Sequence, residues 1–438
     1  MMKFSKTIGI LVMACLLLML PLLAACGDDN GTPSPAVSPT IESTEIPTLT
    51  QTPDATPTQP PPDEVTITIG VISDLTGPSA ETHRLINTAM EDLAEYFNQE
   101  KLDPGVEFKM IFYDGANDPS NDIPGYQWLR EKKSDVIFSA QPVTASTLKP
   151  KVDEDQMVMF VASGDADIIL PPGYVFAVAT LPQYEAYSLL KWVAENDWDY
   201  EANGPAKVGG ATWSDAYGNV FLAAMEEYCD AHPDQFEWIG GYLTPLGNFI
   251  WGPEVDALKD ADYVFPCTIL TNFVKEYRAA GYSAKIIGAG IHTAFFGLVH
   301  DARLWDEIDG GIFLMGSPWW TDEGELMDLT KKLLNENHAN DAEAIMRKGV
   351  GYSTITSLYP MFDIITQAFQ AAGPDAFGSQ AIYDAAQQYS LELNGITRYT
   401  FSETKRDLFD AYKVYIADET QEDMFPADGQ WIPVTREP

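Results

Sequence analysis

From residue 65 onward, apolar and polar positions follow two alternating periods, and that alternation lays out the elements. Val65-Thr66-Ile67-Thr68-Ile69-Gly70-Val71-Ile72 is a β-branched run that reads as a strand, buried at its end, and 73–78 reads as a turn. Helical spacing follows, with Leu85, Ala89, Leu93 and Tyr96 or Phe97 on one face. The unit then repeats. Strands are predicted over 106–113, 135–138 and 156–162, with a turn over 114–119, a helix ending near Lys133 and another over 146–154. A second series starts after Pro182. Its helices are predicted over 184–196, 217–231, 255–258 and 273–280, and its strands over 206–212, 236–242, 261–267 and 285–289. Strand–helix alternation at this pitch predicts an α/β fold of parallel sheets sandwiched by helices. The likeness of the two series predicts two similar lobes, although no short-period repeat is present.

The first 64 residues follow neither period. Lys3 and Lys6 precede an apolar run over 8–20 that is too short for a comfortable membrane span, and Leu23-Ala24-Ala25-Cys26 closes it with small residues. The pattern resembles a bacterial lipoprotein signal. The resemblance implies removal of residues 1–25 and acylation of Cys26, which becomes the new N-terminus. An uncleaved anchor helix, or a plain signal in which Cys26 is incidental, are the other readings. Prolines at 33, 35, 39, 47, 53, 57, 60, 61 and 62, with Thr and Ser between them and no Lys or Arg, mark the rest of 26–64 as a disordered Pro/Thr-rich tether. The expected location is therefore outside the cytoplasm, on the outer face of the cell membrane, held by lipid rather than by a span.

Charge and cysteine content narrow the partners. The net charge of −39 becomes −41 once the two lysines of the first 25 residues are removed. Such a surface repels phosphate backbones, so no nucleic-acid partner is expected. Only Cys229 and Cys267 lie outside the signal and the lipid site. They are predicted at a helix end and a strand end on opposite faces of a sheet, which argues against a bridge in a compartment that permits one. No Cys or His spacing suggests a metal, and no cofactor is expected. There is no Gly-x-Ser-x-Gly elbow, His-Glu-x-x-His helix or Walker loop, so no catalytic residue is assigned and the chain reads as a binder. Paired acids such as Asp153–Asp155 and Glu226–Glu227 read as exposed helix faces.

Five segments carry a family resemblance. They are Ile69-Gly70-Val71-Ile72-Ser73-Asp74-Leu75-Thr76-Gly77-Pro78, Tyr113-Asp114-Gly115-Ala116-Asn117-Asp118-Pro119, Tyr174-Val175-Phe176, Trp213-Ser214-Asp215-Ala216-Tyr217-Gly218, and the C-terminal run of Phe401-Ser402 with 412–416 and 431–434. Together, and in this order, they resemble the leucine/isoleucine/valine-binding type of solute-binding protein, over residues 65–434. The resemblance implies a type I periplasmic-binding-protein fold whose chain crosses between lobes three times, here near Pro182, Ser317 and Gly395. Lobe 1 would comprise 65–182 and 318–395, and lobe 2 would comprise 183–317 and 396–438. It also implies capture of a small solute in a cleft that closes by hinge bending, and delivery to the permease subunits of an ABC importer, by a monomer. A ligand-sensing receptor lobe acting through a separate membrane partner is the alternative, with a hydrolase behind it.

By the same resemblance the pocket lies in loops at the carboxyl ends of the strands: 74–82, 140–144, 163–165, 213–217, 267–271 and 290–293. The candidate ligand-binding residues are Thr82, Gln141, Pro142, Ser163, Gly164, Asp165, Trp213, Tyr217, Thr268 and Gly290. Amino-acid-binding members hold the ligand carboxylate with a Ser and a Thr, and its ammonium with a second-lobe acid. Here those positions fall on Pro142, on Asp165 and near Gly290 or Ile291. Proline offers neither a hydroxyl nor an N–H, an acid repels a carboxylate, and glycine has no charge. The expected ligand is therefore cationic, hydroxylated or otherwise not a simple zwitterion. Asp165 has a second reading as the cap of a helix starting at Ala166. Tyr217 and Trp213 are expected to contact ligand, Trp319 and Trp320 to pack at the hinge, and His83 and His292 to be solvated loop residues more than ligand contacts.

Overall fold

The computed structural model describes residues 64–170 and 172–438, so the signal, the Cys26 anchor and the tether lie outside the described residues. Five strands, β1 (Val65–Ser73), β2 (Val106–Asp114), β3 (Val136–Ser139), β4 (Met159–Ser163) and β5 (Val175–Thr180), form one parallel sheet in the order β2-β1-β3-β4-β5. The β1 strand is buried from Ile67 to Ser73, Thr68 included, as expected of a parallel strand covered on both faces. The helix Ala80–Glu100 turns Ala89, Met90, Leu93 and Phe97 to the sheet and leaves Leu85 and Tyr96 half-buried. The Phe97 ring meets Phe108 of β2 at 6.1 Å, and Tyr359 and Phe362 of the helix Ile355–Ala372 at 5.2 and 5.5 Å. A late segment of chain therefore completes the cover of the first sheet, a pairing that local periodicity does not reveal.

The second sheet begins the same way. Strands β6 (Ala206–Trp213), β7 (Phe236–Thr244), β8 (Tyr263–Phe265), β9 (Lys285–Ala289) and β10 (Ile312–Met315) run parallel. The short strands β11 (Ser390–Leu393) and β12 (Ile396–Thr400) then form a separate hairpin. Asn394 and Gly395 turn it with φ of 53° and 76°, a pair for which these two residue types are suited. Strand β13 (Ala411–Asp418) joins β10 antiparallel and β14 (Asp423–Pro433) pairs with β13, giving the order β14-β13-β10-β9-β8-β6-β7.

Two passages between the sheets are held by packing and hydrogen bonds. Before β13 begins, Arg406 and Leu408 pair with β5: Ala177 N–H donates to the Arg406 carbonyl at 2.7 Å and Leu408 N–H to the Ala177 carbonyl at 2.8 Å. Where the chain leaves β10, Trp319 and Trp320 are buried. Their indoles donate to Asp423 at 2.7 Å and to the Gly349 carbonyl at 2.9 Å, so both pack structure. A buried ion pair, Lys413–Asp322 at 2.6 Å, with the Tyr415 hydroxyl on the same carboxylate, fastens this passage to β13. The two expected cysteine positions hold free, buried thiols whose pKa burial pushes up to about 12.

Candidate ligand-binding site

In a parallel α/β sheet the loops at the carboxyl ends of the strands are where side chains from several elements converge. After β1, Asp74 accepts the N–H groups of Gly77 and Ser79 at 2.5 and 2.8 Å and builds the turn. His83, expected in a loop, lies in the helix that follows. It is buried, its Nδ1 accepts the Asp74 N–H at 3.2 Å, and burial lowers its pKa to about 4. The neighbouring Thr82 is half-exposed in the same helical turn.

After β3, the helix Pro142–Asp155 starts with proline at its first position, where a missing N–H costs nothing. That placement fixes Gln141 as the N-cap residue, with its side chain 1% exposed. The Thr144 hydroxyl lies 3.3 Å from Gln141 Oε1 and 3.1 Å from Asp122 Oδ1. Gly115 leaves room for the amide: a Cβ there would stand 3.2 Å from Gln141 Oε1. Gln141 Nε2 and Asp122 Oδ2 have no hydrogen-bond partner among the described residues. Burial raises the Asp122 pKa to about 6, and the Thr144 hydroxyl opposes it.

After β4, Ser163 is buried and its Oγ also lacks a partner among the described residues. Gly164 packs so closely that a Cβ would lie 2.1 Å from Ile169 Cδ1. Asp165 caps the short helix Ala166–Ile169, accepting the Asp167 N–H at 2.9 Å, and also takes the Gln183 amide at 3.0 Å. The cap reading of Asp165 is thus realised, and the same oxygen is also held by Gln183, in the first turn of the helix Pro182–Asn196.

On the second sheet, Trp213 is buried and donates its indole N–H to the Asn248 carbonyl at 2.6 Å. Tyr217 is 2% exposed, and its hydroxyl donates to Glu185 Oε2 at 2.5 Å. Burial first, and the Glu185 charge second, raise the Tyr217 pKa well above its ordinary value, so it stays a donor. Thr268 is buried beyond β8. Gly290 is half-buried, and the atom a Cβ there would meet is Glu185 Oε1, at 3.8 Å. His292 is fully buried. It accepts the Ala289 N–H on Nδ1 at 3.1 Å and sets Nε2 3.1 Å from the Pro266 carbonyl, and burial lowers its pKa to about 4.

The sequence-predicted residues therefore fall into distinct groups. Gln141 joins Thr144 and Asp122, Asp165 joins Gln183, and Tyr217 and Gly290 meet at Glu185. Trp213 belongs to an apolar cluster with Trp251 and Phe273, and Thr82 is brought to none of the three groups. Sequence reasoning missed Asp122, Gln183 and Glu185. The available signal was an acid on an otherwise buried face: Glu185 lies between Tyr184 and Ala186 in the first turn of Pro182–Asn196, and all three are buried. An acid stands beside Gly290 after all, delivered from another element.

Two surface concavities lie elsewhere. One, of about 660 Å³, is lined by Asp384, Gln388 and Glu403; the other, of about 330 Å³, lies at the amino ends of β8 and β9 beside Asp197. Neither includes a strand-end residue discussed above. Among the described residues no cluster of His, Cys, Asp and Glu could hold a metal ion, and no helix is long and apolar enough to cross a membrane.

Comparison with known proteins gives one family. The model of the family described as periplasmic binding protein matches residues 66–420. No curated protein sequence matches significantly. Solved structures match over most of the chain. A branched-chain amino acid ABC transporter protein from Thermus thermophilus with bound valine is 17% identical with a TM-score of 0.71, covering 85% of this chain and 97% of that one. A solute-binding protein of an ABC transporter from Rhodopseudomonas palustris BisB5, in complex with 3,4-dihydroxybenzoic acid, is 18% identical with a TM-score of 0.68, covering 85% and 99%. A fatty acid ABC transporter substrate-binding protein from Thermomonospora curvata is 15% identical with a TM-score of 0.69, covering 87% and 96%.

Proposed function

The chain belongs to the periplasmic binding protein family, and from that membership we propose that it is an extracytoplasmic lipoprotein that captures a small solute between its two lobes. It is tethered through Cys26 and hands the solute to the permease of an ABC importer, without catalysis and as a monomer. In place of a last crossing near Gly395, we take the lobes as 65–182 with 318–410, and 183–317 with 411–438, a division favoured by the pairing of Arg406 and Leu408 with β5 just before β13. Ligand binding works by population shift: a solute that touches both lobes favours the closed arrangement over the open one.

One observation carries the reading. Gln141 Nε2 and Ser163 Oγ are buried donors at the carboxyl ends of the adjacent strands β3 and β4, and neither meets an acceptor among the described residues. A buried polar group without a partner costs about 1–3 kcal/mol, so an acceptor-bearing solute is favoured there. On the other lobe, the Tyr217–Glu185 pair beside Gly290 favours an amine or hydroxyl. Pro142 supplies no N–H and Asp165 is occupied as a cap, so the pattern does not suit leucine, isoleucine or valine. The named ligands of the similar structures include an amino acid and a hydroxylated aromatic acid, and this donor set fits the hydroxylated class better.

A thermal-shift screen of a solute library tests the proposal. The expected result is a rise in melting temperature with one chemical class, by mass action, reduced for that class in Gln141→Leu and Ser163→Ala. Steady turnover of the hit, or an unchanged shift in both variants, overturns it.

A further inference from the structure

The loop after β7 displays apolar side chains that the fold does not use. Within eight residues, Leu243 is 48% exposed, Leu246 54%, Phe249 43% and Ile250 74%. Single exposed apolar residues are ordinary, but four within eight positions, one at the end of β7 and three on the loop after it, mark an interaction surface. The loop is also built to hold them outward. Asn248 N–H donates to the Pro245 carbonyl at 3.0 Å, and the Asn248 side chain bridges the Ile250 carbonyl at 2.8 Å and the Ile250 N–H at 3.3 Å. From outside the loop, the Trp213 indole holds the Asn248 carbonyl at 2.6 Å, Asn272 holds the Phe249 carbonyl at 3.3 Å, and Glu276 accepts the Trp251 N–H at 2.9 Å. The Trp213 and Phe249 rings meet edge-on at 5.3 Å. A loop wired at this many points presents its apolar tips without an ordering cost on binding.

Place and charge select the occupant. The loop lies at the carboxyl end of β7, the outermost strand of the second sheet and the one farthest from β13 and β14, so it stands on the rim of the second lobe on the side where the ligand loops converge. Residues 208–258 hold no Lys or Arg and eight acids; the bracing helix Thr271–Ala279 adds Lys275 beside Glu276, and Arg278, whose guanidinium is paired with Glu307 at 3.7 Å. Acidic surroundings repel anionic lipid headgroups, and two copies facing each other would bring like charges together. What fits is a protein surface with an apolar pocket ringed by Lys or Arg.

We propose that Leu246, Phe249 and Ile250 form the knob by which the second lobe docks on a basic-rimmed apolar pocket in the extracytoplasmic face of the importer's membrane subunit. The proposal rests on the importer reading given above.

The test uses the radiolabelled solute first identified by the thermal-shift screen, taken up by producing cells whose own gene is replaced by variants of the full chain. Leu246→Asp with Ile250→Asp should leave solute affinity and melting temperature unchanged, because both side chains are largely exposed, and should lower the initial uptake rate at least tenfold. Glu254→Arg with Asp256→Arg, which keeps the apolar tips, should lower it several-fold by repelling a basic rim. Wild-type uptake in the first variant overturns the docking surface and leaves solute capture standing. Lost solute affinity in that variant assigns the loop to the ligand site and also overturns docking. Sedimentation of the Cys26→Ala chain with phosphatidylethanolamine–phosphatidylglycerol vesicles, or its self-association, abolished in either case by the Leu246/Ile250 pair of changes, assigns the knob to lipid or to a second copy instead. Uptake that is unchanged when the gene is deleted refutes the importer reading itself, and the docking surface falls with it.

Discussion

The two buried histidines should make this protein lose stability on acidification, and His292 allows the effect to be isolated. Its folded pKa is depressed to about 4 from an ordinary value near 6.5 by complete burial, with both ring nitrogens committed to Ala289 and Pro266. A base with a depressed folded pKa contributes stability that is fully present above pH 6.5 and is lost as pH falls toward 4. At pH 4.5 an unfolded histidine is almost fully protonated and the folded one only about a quarter so, and integrating that difference from pH 7 gives a loss of about 2.4 kcal/mol. His83, with the same folded value of about 4, adds a comparable term. Asp122 works in the opposite sense. Its raised folded pKa, about 6, penalises the folded state above that pH, and acidification relieves about 2 kcal/mol over the same range. These three groups together should therefore cost about 3 kcal/mol, spread between pH 6.5 and 4.5. His292→Asn offers an oxygen to the Ala289 N–H and does not titrate in this window. It should be about 1 kcal/mol less stable at pH 7 for want of the Pro266 bond, yet decline by about 2–3 kcal/mol less on acidification. Urea denaturation followed by tryptophan fluorescence at pH 7.0 and 4.5 reads both numbers. Parallel pH dependences in variant and wild type would refute the assignment of the acid lability to His292.

Other outcomes follow from single positions. Asp122→Asn keeps an oxygen for the Thr144 hydroxyl and removes a buried charge, so it should raise stability at pH 7 by about 1–3 kcal/mol; a lower denaturation midpoint would contradict this. Gly349 has φ of 98°, and a Cβ there would stand 1.8 Å from the Thr293 carbonyl, so Gly349→Ala should cost more than about 3 kcal/mol, visible as a melting temperature several degrees lower. Unchanged melting would show that these two segments part freely. Cys26→Ala should move the protein from the membrane to the soluble fraction, and retention would refute the lipid anchor.

The alternation of strands and helices was legible because parallel strands covered on both faces are written as runs of Val, Ile and Phe, and helices as an apolar stripe. The boundaries of β1, β6 and β9 fall within a residue or so of the expectation. The helix expected over 146–154 starts four residues earlier, at Pro142, whose missing N–H suits a first helical position. What was not legible depends on partners distant in sequence. The cover of the first sheet by Ile355–Ala372, and the pairing of Arg406 and Leu408 with Ala177, have no local signature. The site suffered most from this. Tyr217 reads as a turn residue open to the cleft until Glu185, thirty-two positions earlier, is seen to close over its hydroxyl. Gly290 reads as neutral until the same carboxylate is found beside it. Asp165, by contrast, was readable as a cap, because an Asx N-cap is satisfied by backbone two residues on.

Calorimetric titration of the purified protein with the solute class selected by thermal shift tests the central claim most directly. The account predicts saturable one-to-one binding, no turnover, and at least a tenfold weaker Kd in Gln141→Leu, because each charge-neutral hydrogen bond lost from a buried donor is worth about 1–1.5 kcal/mol and the apolar replacement also removes the shape that accepts the ligand. Leucine, isoleucine and valine should give no heat at micromolar concentrations. Tight binding of leucine with full affinity in Gln141→Leu would contradict the account at both the ligand and the site.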